Sequence, residues 1–363
     1  MYEMMDTPAA IIDLDIVEAN IRRTVEHNKQ YGIQWRPHVK AHKCVALAHM
    51  QQELGCHGIT CAKVSEALVM ARGGIRDIFV AYPLIGQSKL RHLDELLDLC
   101  DHVVTLVNSV EGARALSELG VRRGQPIEVL IDIDGGIGRG GLQPGMPALA
   151  FAQAIGDLPG IRMTGLMFYE GNIYRCKTDS EIAEAVRRNS ETIMETAALL
   201  RAHGFDMHVL SMGSSYSARF PEQMQGVTEI RAGNIVFCDN SQLAAGLIRE
   251  SDCALRVVAQ VVSKPDAYHA IIDAGSKALT SDTGAYTKGY GHIVGHDDIE
   301  ITKLNEEHGF IASQQPLPFS IGDRIEIIPN HACVIPNLND DVYGVRGGRM
   351  DCLLHIDARG MSL

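Results

Sequence analysis

The stretch "DIFVAYPLIGQSKLRHLDELLDLCDHVVTLVN", residues 77–108, decides the fold. Its ends, "DIFVAYP" and "HVVTLVN", are short runs rich in β-branched and aromatic residues, which suit a pleated, buried surface. Between them "SKLRHLDELLDL" repeats leucine every three to four residues, the spacing of one face of an amphipathic helix. Strand, helix and strand in this order make a βαβ unit on a parallel sheet.

The same rhythm extends in both directions, from residue 35 to about 237. The extended runs are "WRPHVK", "GITCAK", "DIFVAYP", "HVVTLVN", "PIEVLIDID", "IRMTGLMFY", "MHVLSMG" and "TEIRAGNI". Eight such units predict a (β/α)8 barrel of the TIM type, an α/β fold. Beyond residue 245 the helical segments fade. "ALRVVAQVVSK", "YHAIIDAG", "DRIEIIPNHACVI" and "MDCLLHI" are separated by Gly, Pro and Asp turns, which predicts a C-terminal all-β domain. The expected division is a barrel over residues 8–245 and a β domain over residues 246–363, joined by the surplus N-terminal run "AAIIDLD".

Bulk properties restrict the function. The 363 residues are 46% apolar and 21% charged, enough for a large core, and the net charge of −12 leaves no broad basic face for a nucleic-acid backbone. No apolar run approaches the length of a membrane span, and the start "MYEMMDTPAAIIDLD" has no basic segment leading into an apolar one. Nine scattered cysteines, an odd number, suit a reducing compartment. The expectation is a cytoplasmic protein with no nucleic-acid or membrane partner.

In a barrel of this type, chemistry collects at the C-terminal ends of the strands. The first run, within "QWRPHVKAHK" (34–43), ends at Lys40. If the strand persists, His38, Lys40 and His42 share a face while Lys43 falls out of phase. The fifth leads into "DIDGGIGRGG" with Arg139, and the sixth ends at Tyr169-Glu170. The seventh and eighth lead into "GSSYS" and "AGN", two small-residue turns whose N–H groups and hydroxyls can approach a phosphate. A lysine amine and an anion clamp at one barrel mouth are what pyridoxal 5′-phosphate (PLP) requires.

These residues resemble a known family, the fold-type III, alanine-racemase-like PLP enzymes, and within it the branch of D-serine dehydratases, D-threonine aldolases and D-3-hydroxyaspartate lyases. "DTPAAIIDLDIVEANI" is similar to the family's opening, and "RPHVKAHK" to its RPHxKTHK motif, with Ala41 where Thr is usual. The resemblance implies that Lys40 is the Schiff-base lysine, that Arg139 bonds near the cofactor's 3′-oxygen and that Tyr169 packs on its ring. It further implies that Ser214, Ser215, Gly233 and Asn234 form the phosphate cup and that Arg231 faces the pyridine nitrogen. "GSSYS" stands where relatives more often have a GGT-type loop. "IIPNHACVIPNLND" (327–340) resembles the segment whose His and Cys bind a divalent metal. That makes His331 and Cys333 the ligands, and imidazole plus thiolate favours zinc over manganese or magnesium. As i and i+2 on a strand they would share a face, with Asp340 as a supporting carboxylate.

The resemblance implies a PLP- and metal-dependent lyase acting on a D-3-hydroxy amino acid, working as a homodimer. Loss of the α-proton followed by the β-hydroxyl would give a 2-oxo acid and ammonia. Loss of the hydroxyl proton with Cα–Cβ cleavage would give glycine and an aldehyde. A cysteine ligand, and the lack of a histidine between Tyr169 and His203, favour dehydration of a D-serine or D-3-hydroxyaspartate type of substrate. A racemase, which needs no metal, and a non-catalytic PLP carrier, which lacks the β domain, are the weaker readings.

Overall fold

A computed structural model describes residues 5–176 and 178–363. The first strand, β1 (Ala9–Asp13), precedes eight others: β2 (Gln34–Trp35), β3 (Ile59–Cys61), β4 (Asp77–Pro83), β5 (His102–Val107), β6 (Ile127–Asp134), β7 (Ile161–Tyr169), β8 (Val209–Ser211) and β9 (Glu229–Ile230). Those eight form a parallel sheet in the order β2-β9-β8-β7-β6-β5-β4-β3. A parallel bridge from His38 to Thr60 joins the continuation of β2 to β3 and closes the ring. This is the α/β barrel that the eight extended runs predict.

The helices follow from the same sequence logic. Gln87–Leu99 buries Leu90, Leu93 and Leu96, the apolar stripe of the opening stretch. Val110–Arg123 begins at Ser109, whose hydroxyl accepts from the Gly112 N–H, and ends at left-handed Gly124. Inside the ring, Phe79, Val104, Leu106, Leu130 and Met167 pack into one apolar cluster.

The remaining strands are β10 (Leu255–Ser263), β11 (His269–Ile272), β12 (His292–Ile293), β13 (His296–Leu304), β14 (Gly309–Ser313), β15 (Arg324–Ile328), β16 (Asp341–Arg346) and β17 (Arg349–His355). They join β1 in one sheet, ordered β11-β14-β13-β12-β15-β10-β1-β16-β17, with β10 also pairing β11 so that six strands close on themselves. β1 runs antiparallel to β10 and parallel to β16. By packing, one unit comprises Arg22–Lys40, Val45–Gly233 and Gly360–Leu363, and the other the chain up to Ile21, Ala41–Cys44 and Asn234–Arg359. Residues 234–252 fall in the β unit because the short helix Asn240–Ala244 is tied to Asn330 through Asn240 Nδ2 at 2.7 Å and Ser241 Oγ at 2.7 Å.

Candidate active site

Strand β2 is shorter than the run "WRPHVK" suggests. The backbone stays extended as far as the bridge at His38, then Val39–Ala41 form one turn of 3₁₀ helix. Such a turn rotates successive side chains by about 120° rather than alternating them, so the shared face of His38, Lys40 and His42 does not form. His42 is buried in the other unit, where its Nδ1 accepts from the Cys44 N–H at 3.1 Å and its ring meets Phe237 edge-on. Lys43 is buried there too, its carbonyl accepting from the Ala358 N–H. Lys40 is left exposed at the barrel mouth with His38 beside it.

Around Lys40 the barrel supplies a set of charged and aromatic groups. Burial, reinforced by the Lys40, Arg231 and Arg139 charges, holds the His38 imidazole well below its usual pKa, so the ring is neutral. Its Nδ1 is buried with no hydrogen-bond partner among the described residues. Arg139 stacks over the Tyr169 ring at 4.3 Å. Their two loops meet because Gly135 has no side chain: a β-carbon there would lie on the Tyr169 carbonyl oxygen. Arg231 is buried and donates to Ser211 Oγ at 2.6 Å and to the Phe168 carbonyl at 3.0 Å. Burial lowers its proton affinity, and the Glu170, Glu229 and Asp132 carboxylates oppose that loss.

The loop after β8 is held from within. Glu170, fully buried, accepts from the Gly213 N–H at 3.1 Å and from the Ser217 hydroxyl, which in turn accepts from the Ser214 N–H at 2.8 Å. Gly213, Ser214 and Ser217 are thereby engaged, the Ser214 hydroxyl lying 3.3 Å from that of Ser217, and Ser215 is the other small polar residue of the turn. After β9, Gly233 packs so tightly that a β-carbon would approach the His38 carbonyl oxygen to 2.6 Å. The Asn234 side chain points elsewhere: its Nδ2 donates to Asp239.

A cavity of about 620 Å³ opens at this mouth, lined by His38, Lys40, Asp132, Arg139 and Tyr169 among others. Its volume is that of a site for a cofactor with a small substrate. A free amine, an orphaned imidazole nitrogen, a stacked aromatic and a glycine-walled turn fit PLP on chemical grounds.

The other unit carries the HxC pair. β15 ends at Ile328, and His331 and Cys333 lie on a 3₁₀ turn, Ala332–Val334, rather than on a strand. The turn still brings the two together, since Cys333 is the main influence holding the His331 imidazole up to about 11, with Asp239 adding to it. Asp239 Oδ2 accepts from His331 Nδ1 at 3.1 Å and from the Ala332 N–H at 3.3 Å, while Oδ1 accepts from the Gln242 N–H at 3.2 Å. Asp340 plays no part, being exposed and paired with Arg359. A ring fixed through Nδ1 presents Nε2 outward, the usual support of a metal-binding histidine. Among the described residues no three His, Cys, Asp or Glu side chains cluster as metal ligands. The His331–Cys333 pair offers a soft donor set that leaves positions for substrate and water, which fits a divalent metal.

A closed eight-stranded α/β barrel with an amine at its mouth, in a chain that also carries an antiparallel β unit, defines the class of fold-type III PLP enzymes. The family profile described as "Alanine racemase, N-terminal domain" matches residues 12–241, and "Putative serine dehydratase domain" matches residues 254–345. The chain is 34% identical to the D-threonine aldolase of an Arthrobacter sp., over 99% of this chain and 94% of that one. It is 33% identical to the D-threo-3-hydroxyaspartate dehydratase of Delftia sp. (strain HT23), over 91% of each. A solved structure of a D-threo-3-hydroxyaspartate dehydratase bearing a cysteine-to-alanine mutation, described as the metal-free form, matches with a TM-score of 0.87 at 30% identity, covering 97% of both chains. The chain belongs to the alanine-racemase-like family, in the branch of D-threonine aldolases and D-serine dehydratases, and is a PLP-dependent lyase of D-amino acids. PLP and a metal are the cofactors that this membership implies.

Proposed function

We propose that the protein eliminates water from a D-3-hydroxy amino acid and that water returns as the resulting imine hydrolyses, so that the net products are a 2-oxo acid and ammonia, with Lys40 as the cofactor-bearing amine and His331 and Cys333 as zinc ligands. The cysteine carries this reading: Cys333 stands beside His331, and the metal-free form described for a dehydratase relative is one that lacks a cysteine. When bound, PLP supplies an electron sink at the α-carbon and the divalent metal a Lewis acid for the hydroxyl.

The chain's own residues do the rest. Lys40, on a turn at the end of a barrel strand, is the mobile amine that takes the α-proton on its Nζ. Arg139 and Tyr169, stacked together, brace one wall where a flat ring would lie. Ser214, Ser215 and Gly233 would hold the phosphate, and Asn234 would contribute through its backbone because its side chain serves Asp239. Arg231, whose charge the Glu170, Glu229 and Asp132 carboxylates favour, would face the pyridine nitrogen of a bound cofactor, where a cation disfavours protonation. Neutral His38 has an unpartnered Nδ1 that would accept a hydrogen bond from a bound group.

Incubating the protein loaded with PLP and Zn²⁺ with D-serine, D-threonine and D-3-hydroxyaspartate tests this. The expected products are 2-oxo acid and ammonia, lost on chelation and in K40A. Glycine and aldehyde without ammonia would overturn it in favour of retro-aldol cleavage, the reading that the similarity to the Arthrobacter D-threonine aldolase supports.

A further inference from the structure

The cavity at the barrel mouth holds more cations than PLP and one carboxylate need. Besides Lys40 and Arg139 it is lined by Lys63 and Lys89, both half-buried. Its two carboxylates are committed elsewhere. Asp134 Oδ1 accepts from the N–H groups of Gly136, Ile137 and Gly138, and Oδ2 from Gln143 Nε2 at 3.2 Å. Asp132 is buried and accepts from Asn108 Nδ2 at 3.1 Å. Among the described residues neither lysine has a carboxylate partner, and the Lys63 ammonium instead rests 3.8 Å from the centroid of the Tyr82 ring. An aromatic face positions a cation without neutralising it. A half-buried, unneutralised ammonium is favoured by a bound anion.

Topology separates that anion from the phosphate. Ser214 and Ser215 follow β8, and Tyr82 lies on β4; around the ring the two strands are four apart of eight, hence on opposite sides. Register places Lys63 near the reacting amine: Thr60 bridges His38, so Lys63 three residues on and Lys40 two residues on emerge in one sector of the mouth. The α-carboxylate is common to every amino acid and requires one cation. We infer that Lys63, held over Tyr82, is a specificity residue that receives a second carboxylate, on the β-carbon, so that the preferred substrates are dicarboxylic D-3-hydroxy amino acids of the 3-hydroxyaspartate class. This rests on the D-3-hydroxy amino acid lyase reading, and holds whether the products are oxaloacetate and ammonia or glycine and glyoxylate. A neutral β-substituent would lie against exposed Tyr82, Ile85 and Ile137 and leave Lys63 without a partner.

The test measures total turnover of D-3-hydroxyaspartate, D-serine and D-threonine by holoenzyme, K63M, K63R and Y82L. The wild type is expected to favour the dicarboxylic substrate, and in K63M the ratio of its kcat/KM to that for D-serine falls about tenfold or more, carried by KM, as removal of a charge-assisted bond requires. K63R should restore most of that ratio and Y82L lower it in part. A wild-type preference for D-threonine, or an unchanged ratio in K63M, overturns the inference. In parallel, calorimetric titration with D-malate, an unreactive hydroxydicarboxylate, should show binding that weakens about tenfold in K63M; no binding, or equal binding, counts against it. Turnover of none of the amino acids would defeat the lyase reading alone, because the malate titration judges Lys63 separately.

Discussion

Asp239 is the residue on which the metal pair depends. Its carboxylate binds His331, the Ala332 N–H and the Asn234 amide while capping the helix Asn240–Ala244, so one buried side chain sets the imidazole's orientation and the course of the turn. Replacing it with alanine is expected to weaken zinc affinity by about 10- to 100-fold, as loss of a partner behind a metal-binding histidine does, read by chelator competition. C333A should lower zinc content further while circular dichroism stays unchanged, since Cys333 is only half-buried. His331 and Cys333 were legible as a doublet of soft ligands. Asp239 was not, because it lies 92 residues from His331 in the chain and reads locally as an ordinary helix cap. Asp340, the carboxylate nearer in sequence, is drawn away by Arg359.

Among the elements, the loop 213–217 shows how a buried carboxylate shapes an anion site without joining it. Glu170, at the end of β7, takes up the Gly213 N–H and the Ser217 hydroxyl, and Ser217 in turn holds Ser214, which fixes the course of the turn. E170A leaves both donors unsatisfied in a buried place, which costs about 1–3 kcal/mol. PLP affinity should therefore fall about tenfold or more in a fluorescence titration, and E170Q should recover part of it. The alternation of strand and helix that predicts the barrel was plain because each βαβ unit needs a buried run and an amphipathic stripe. Strand β13, "HDDIEITKL", escaped that reading: only Ile299 and Ile301 of its nine residues are buried, so charges mask its period of two. β2 was overextended because the alternation of "WRPHVK" runs on past Trp35 into a 3₁₀ turn that tertiary packing creates.

For the whole molecule, an ion cluster below the barrel sets a dependence on pH. His102 Nδ1 lies 2.9 Å from Asp77 and Nε2 lies 3.5 Å from Glu128, while Asp77 also meets Arg36 at 2.6 Å. Hydrogen bonds to Asp77 and then Glu128 hold the imidazolium up to about 9. A folded-state pKa above the ordinary 6.5 means that this contribution is complete below about pH 6.5 and is lost as pH rises through about 9. The ring is 40% exposed, so solvent screening limits the effect to about 1 kcal/mol or less. Urea midpoints at pH 6 and pH 10 should therefore differ slightly more for the wild type than for H102N. The sequence by itself determined the barrel, the separate β domain and the kinds of residue that carry the chemistry, because periodicity and ligand type are properties of neighbours along a chain. Only the tertiary structure decided that His42 leaves Lys40, that Asp239 rather than Asp340 supports His331, and that Lys63 lines the cavity of Lys40. Each of these rests on contacts between segments far apart in the chain, which follow from how the strands close on themselves and from no local pattern.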